Sequence, residues 1–286
     1  MSRLYEALRR MESQRNSPVA VSPSPALPSE LLNGQMGGPV DLRAAKSAKV
    51  EPHVTSRLVA VTEPRSLGAE KFRSLATRLE NMRRERELRS LQITSSIIGE
   101  GKTMVSANLA LTLSVECGTK VLLVEGDLHR PSLAERFGLT DLAGMNQWWG
   151  TREKQITPFI YRLNQWPLWF LGSGGPFEQP SHMLQSGRFA EAFLSLSAGF
   201  DWIIVDSTPM LPTVDANLWS RLVDGTILVV REGVALVNAL KKGLQALDNP
   251  KLVGIVLNEA SEFNRSNYEG KYYALQDNKI RVAENK

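Results

Sequence analysis

A strand-like run, Ser90-Leu91-Gln92-Ile93-Thr94-Ser95, leads directly into Ser96-Ile97-Ile98-Gly99-Glu100-Gly101-Lys102-Thr103, and a helix-forming stretch follows from Met104. No other feature limits the fold so tightly. Gly99 and Gly101 can adopt backbone angles that turn successive N–H groups inward. The helix that follows adds its positive N-terminal end. Such a loop is built to receive phosphate oxygens. Lys102 has the reach for the β- and γ-phosphates of a nucleotide, and the Thr103 hydroxyl can ligate Mg2+. The candidate nucleotide-contacting residues are Ser96, Gly99, Glu100, Gly101, Lys102, Thr103 and Met104. One position departs from Gly-x-x-x-x-Gly-Lys-Ser/Thr: Ser96 stands at its first glycine. A chance Gly-Glu-Gly-Lys-Thr turn would need neither the strand before it nor the helix after it.

Five further strand-like runs follow, at 120–126, 168–172, 202–206, 225–230 and 252–258. Helical patterns lie over 66–88, 102–115, 181–197, 212–222 and 235–247. Apolar strands separated by helices predict an α/β fold of the P-loop NTPase type, a parallel sheet sandwiched by helices. Residues 56–262 are assigned to this domain. Ahead of it, residues 13–55 hold six of the 15 prolines and read as a disordered Pro/Ser-rich linker. Residues 1–12 read as a short amphipathic helix with Leu4, Leu8 and Met11 on one face. Residues 263–286 read as a flexible tail.

The 286 residues carry 34 Lys+Arg against 30 Asp+Glu. The surplus is uneven: residues 1–90 hold 16 basic and 10 acidic side chains, and residues 91–286 hold 18 and 20. A slightly acidic core argues against a nucleic-acid partner. Cys117 is the only cysteine, which excludes an intrachain disulfide, and His53, His129 and His182 are too scattered for a zinc site. No apolar run approaches the ~20 residues of a membrane span, and the first residues lack the apolar core of a secretory signal. A cytoplasmic location is expected.

Two more segments belong with the loop. The second run ends in Glu125-Gly126-Asp127 and continues to His129-Arg130-Pro131; the fourth ends in Asp206-Ser207-Thr208-Pro209. In a parallel sheet the strand C-termini gather on one edge, where ligands bind. Glu125, Asp127 and Asp206 should therefore meet Lys102 and Thr103. One carboxylate would hold a hydrated metal and another would accept a proton. Thr103, Asp127 and Asp206 are the expected Mg2+ ligands; Lys102, Glu125, Asp127 and Asp206 are the expected catalytic groups.

Taken in order, these segments resemble a known family, the bacterial tyrosine kinases of capsule and exopolysaccharide export (CpsD/CapB-like BY-kinases). The resemblance spans about residues 60–275. It rests on Gly99-Glu100-Gly101-Lys102-Thr103, on Val121 to Asp127 with Arg130-Pro131, and on Ile203-Ile204-Val205-Asp206 with Pro209. Phe137-Gly138-Leu139, Gln179-Pro180-Ser181, Asp215-Ala216, Asp224-Gly225, Val229-Val230-Arg231 and Gly254 to Asn258 also follow the family.

The resemblance implies an ATP- and Mg2+-dependent tyrosine autokinase that regulates polysaccharide chain length and export. Tyr268, Tyr272 and Tyr273, three of the five tyrosines, would be phospho-acceptors for neighbouring subunits of a homo-oligomer. Asn258 would contact the adenine. A membrane protein of the chain-length-determinant type (a polysaccharide copolymerase) would hold the kinase peripherally at the inner membrane. Three departures bear on this: Glu125 stands for a usual Asp, His129 for an Arg, and Ala76 for the second Arg of Glu70-x-x-Arg73-x-x-Arg, which is tied to ring assembly. Two alternatives remain, an ATP-binding scaffold with weak catalysis and a MinD/ParA-like positioning ATPase. The latter carries a second lysine where this chain has Ile97.

Overall fold

The computed structural model describes residues 42, 45–51, 57–163, 166–211, 213–234, 237–246 and 251–260. The expected helix 1–12 and the tail 263–286 with its three tyrosines lie outside them. Eight strands form one sheet: β1 Lys46–Ala48, β2 Ser90–Ser95, β3 Val121–Gly126, β4 Ile160–Leu163, β5 Leu168–Leu171, β6 Trp202–Ser207, β7 Gly225–Arg231 and β8 Leu252–Asn258. The helices are α1 Val59–Thr62, α2 Leu67–Glu85, α3 Lys102–Val115, α4 Leu133–Arg136, α5 Met145–Gly150, α6 Pro180–Leu184, α7 Gly187–Ser197, α8 Asp215–Leu222 and α9 Val237–Ala246.

The strand order is β1-β4-β5-β3-β6-β2-β7-β8, and every pairing is parallel except β4 with β5. This is the expected α/β sandwich. Alternate residues of each central strand feed opposite faces. Val121, Leu123, Ile204, Ile93 and Val229 pack under α2 and α3. Leu122, Val124, Ile203 and Val205 pack against α6, α7 and Trp219. Leu228 and Val230 meet Leu240 of α9. Burial on both faces explains why these runs are continuously apolar. Helix α3 is buried along most of its length, from Val105 to Ser114, because it lies between the sheet and α1–α2.

The structure differs from the sequence expectation at four places. The range assigned to the linker contains β1, and Ala48 and Val50 join the core. A three-residue edge strand needs only backbone pairing, so Lys-Ser-Ala leaves no apolar pattern. The hairpin strand β4 is four residues long, too short for its alternation to stand out. The single helix expected over 181–197 is two, because the Ser186 hydroxyl accepts the Phe189 N–H and caps a fresh start at α7. Helix α8 begins at Asp215, not 212.

The strand N-termini are held by Asp224, whose Oδ2 accepts from the Arg89 and Ser90 N–H groups at 2.9 and 2.8 Å and from the Ser90 hydroxyl at 2.8 Å. Asp224→Ala strips these three donors of their acceptor and is expected to cost about 1–3 kcal/mol. A urea denaturation midpoint unchanged from the parent chain would show the clamp to be idle. Among the described residues no helix is long and apolar enough to cross a membrane.

Candidate functional site

Strands β3, β6 and β2 lie side by side, so the segments after them emerge together at the C-terminal edge of the sheet. Glu125 and Asp206 are register partners on β3 and β6. Beyond β2 the loop turns through Gly99 and Gly101 at φ 88° and 91°, a region that favours glycine. At Gly101 there is a second constraint, because Asn258 packs where a Cβ would stand. Helix α3 then starts at Lys102, pointing its free first-turn N–H groups into the loop.

Lys102, Thr103, Asp127 and Asp206 come together here. The Lys102 Nζ lies 2.9 Å from Asp127 Oδ2 and 4.0 Å from Asp206 Oδ1. It also donates to the Thr103 hydroxyl at 3.4 Å. Asp206 is 1% exposed, and Ser106 donates to it at 3.2 Å. Burial pushes the Asp206 carboxyl above the ordinary range, against the pull of Lys102 and the Thr103 hydrogen bond. Burial draws Lys102 down, but the charges of Asp206 and Asp127 outweigh it, and the ammonium ends above its ordinary value. Lys102 is therefore a fixed cation at neutral pH.

The donors fit Mg2+. Thr103, Asp127 and Asp206 offer hard oxygen ligands, and the Lys102 ammonium already stands between the two carboxylates as a cation. Among the described residues no group of three or more His, Cys, Asp or Glu forms a self-sufficient metal cage.

Other expected site residues are placed differently. Glu125 turns from Lys102 toward the protein. Its Oε1 accepts from the Leu133 and Ala134 N–H groups at 2.7 and 3.0 Å, and its Oε2 from the Ser173 N–H and hydroxyl at 3.0 and 2.9 Å. Glu100 is fully buried and accepts the Ile97 N–H at 2.9 Å. Asn258 donates to the Glu100 carbonyl at 2.9 Å. The Met104 side chain is partly buried and packs against the core. Ser96 is completely buried, and its hydroxyl has no hydrogen-bond partner among the described residues.

Sequence reasoning missed Ser106, although its place one helical turn after Lys102 was a usable signal. It also missed Ser173, whose tie to Glu125 spans 48 residues and leaves no local trace. His129 lies 3.0 Å from Asp215, whose carboxyl is raised by burial against the influence of His129. The interface motif is also engaged within the chain. Arg73 pairs with Glu70 at 2.9 Å and Glu116 at 3.6 Å, while Ala76 is fully buried in the core.

No family model matches the chain. Tyrosine-protein kinase YwqD of Bacillus subtilis is 30% identical over 239 residues, covering 83% of this chain and 98% of the relative. Among solved structures, the kinase domain of Escherichia coli tyrosine kinase ETK aligns at TM-score 0.65 and 26% identity, covering 76% of this chain and 91% of that one. The septum site-determining protein MinD of Pyrococcus horikoshii, complexed with Mg-ADP, aligns at TM-score 0.50 and 25% identity, covering 61% and 72%. Sequence, fold and the lysine–carboxylate cluster thus agree, and the chain belongs to the family of bacterial protein-tyrosine kinases.

Proposed function

We propose that the chain is an ATP-dependent tyrosine autokinase that controls the chain length and export of a capsular or exopolysaccharide. The observation that carries this reading is the cluster of Lys102, Thr103, Asp127 and Asp206 beside a phosphate-binding loop, in a chain of this family. ATP would lie along the loop, with its phosphates on the backbone N–H groups from Gly99 to Met104 and on Lys102. Bound Mg2+, held by Thr103, Asp127 and Asp206, would supply charge neutralisation to the β- and γ-phosphates. Lys102 would shift from the two carboxylates to the phosphoryl group as negative charge builds there. An Asp127 or Asp206 oxygen would then orient the tyrosine hydroxyl and take its proton.

The acceptors in this reading are Tyr268, Tyr272 and Tyr273 of a neighbouring subunit. A membrane protein of the chain-length-determinant type would hold the kinase at the inner membrane and activate it. The scaffold reading draws on one observation: Glu125 spends its carboxylate on the loops around it, leaving two acids near Lys102.

Incubation of the full chain with Mg-ATP, followed by phosphotyrosine detection, tests the proposal. Changing Tyr268, Tyr272 and Tyr273 together to Phe is expected to remove most of the label. Undiminished labelling would place the acceptors elsewhere, with Tyr5 the next candidate.

A further inference from the structure

Glu100 presents a puzzle for a loop that receives phosphates. Its carboxylate is a negative charge inside an anion cradle, and it is fully buried while the neighbouring Ile98 and Gly99 are exposed. A buried charge is retained only where hydrogen bonds compensate it. Here the compensation comes from the loop itself. Glu100 Oε2 accepts the Ile97 N–H at 2.9 Å, and Oε1 makes a long 3.5 Å contact with the Arg231 N–H at the end of β7.

The same residue is gripped by its backbone. Its carbonyl accepts Asn258 Nδ2 at 2.9 Å, and the preceding Gly99 carbonyl accepts Arg231 Nη1 at 3.4 Å. Glu100 thereby joins the start of the loop to the ends of β7 and β8. Its place in the backbone gives the join a purpose. Gly99 and Gly101 have positive φ while Glu100 does not. That alternation makes a nest of N–H groups that converge on an anion. Among the described residues, the Ile97 N–H is taken by the Glu100 side chain and the Glu100 N–H closes a turn across Ile98 and Gly99, while the N–H groups of Ile98, Gly99 and Gly101 make no hydrogen bond within the protein.

We infer that Glu100 is a positioning residue. Its side chain, working from beneath the loop, ties back the Ile97 N–H and holds those of Ile98, Gly99 and Gly101 in a phosphate-ready nest. It acts through the backbone and touches no phosphate. The useful property is an acceptor oxygen at the end of a two-methylene stem, and the charge is incidental. Gln keeps that oxygen, Asp places it one methylene short, and Ala removes it. This inference rests on the nucleotide-binding reading above.

The test measures binding of Mg-ADP to the full chain by calorimetry, at a temperature where each variant is shown by circular dichroism to be folded. Wild-type affinity comes first, and its absence would sink the nucleotide reading itself. Given wild-type binding, Glu100→Ala is expected to weaken it about tenfold or more, the scale of leaving a loop N–H without its acceptor. Glu100→Gln is expected to restore most of the loss and Glu100→Asp little. In turnover assays Glu100→Ala should raise the KM for ATP far more than it lowers kcat. Unchanged affinity in Glu100→Ala would overturn the inference. So would a Gln variant as weak as Ala, because the charge would then be the operative property. A lowered melting temperature with unchanged affinity and KM would reduce Glu100 to a structural residue and overturn it too.

Discussion

Lys102→Met is expected to lower phosphotransfer by about a hundred- to a thousandfold, the cost of removing a preorganised charged donor from a developing phosphoryl charge. The fold should survive it. Lys102 lies beside two carboxylates, one of them fully buried, so its removal would leave Asp206 charged and unpaired at high pH. Asp206 has another course. Burial already raises its pKa, and the largest opposing influence is Lys102 itself. Without Lys102 the carboxyl rises further and takes a proton.

The sign of the pH effect follows. A carboxyl raised in the folded state binds its proton more tightly there than in the unfolded chain. Its stabilising contribution is complete below the ordinary carboxylate value and is lost as pH rises through the folded pKa. The melting temperature of Lys102→Met, taken relative to the parent, should therefore climb as pH falls from 7.5 toward 5. A parallel pair of pH profiles would mean that Lys102 and Asp206 do not interact.

Glu125→Ala carries the largest expected effect on stability. It removes the acceptor of four hydrogen bonds, three from backbone N–H groups and one from the Ser173 hydroxyl. Two of those N–H groups belong to Leu133 and Ala134 at the start of α4, where a carboxylate also meets the helix dipole. A loss on the order of 3–5 kcal/mol is expected, read from urea denaturation. Glu125→Gln can still accept from Leu133 and Ala134 and should lose less. It should also keep most of its phosphotransfer at a temperature where it is folded. A Gln variant of full stability that cannot transfer phosphate would return Glu125 to the catalytic group.

The central strands were legible because burial on both faces demands runs such as Val121 to Val124 and Ile203 to Val205. The loop was legible because its glycines, lysine and threonine each answer a local requirement. What escaped was set by contacts distant in sequence. β1 is held by pairing with β4, 115 residues away in the Lys46–Tyr161 register, and its own residues need no special character. The acid at position 125 was visible as an acid at a strand end. Its direction depends on Ser173 and on the N-terminus of α4, contacts that leave no mark in the sequence around it. Ala76 read as a lost interface charge. In the fold that position faces the core, which has no room for a solvated cation.

The kinase account depends on where the phosphoryl group goes, so ADP and phosphotyrosine should be measured together. Mg-ATP is given to the full chain and, in a second arm, to the chain with its proposed membrane partner. Each ADP released in the early phase should be matched by about one phosphotyrosine, and Lys102→Met should produce neither. ADP formed without phosphotyrosine in both arms would make the chain a positioning-type ATPase. Tight ATP binding with neither product would make it a scaffold, and either result would contradict the account.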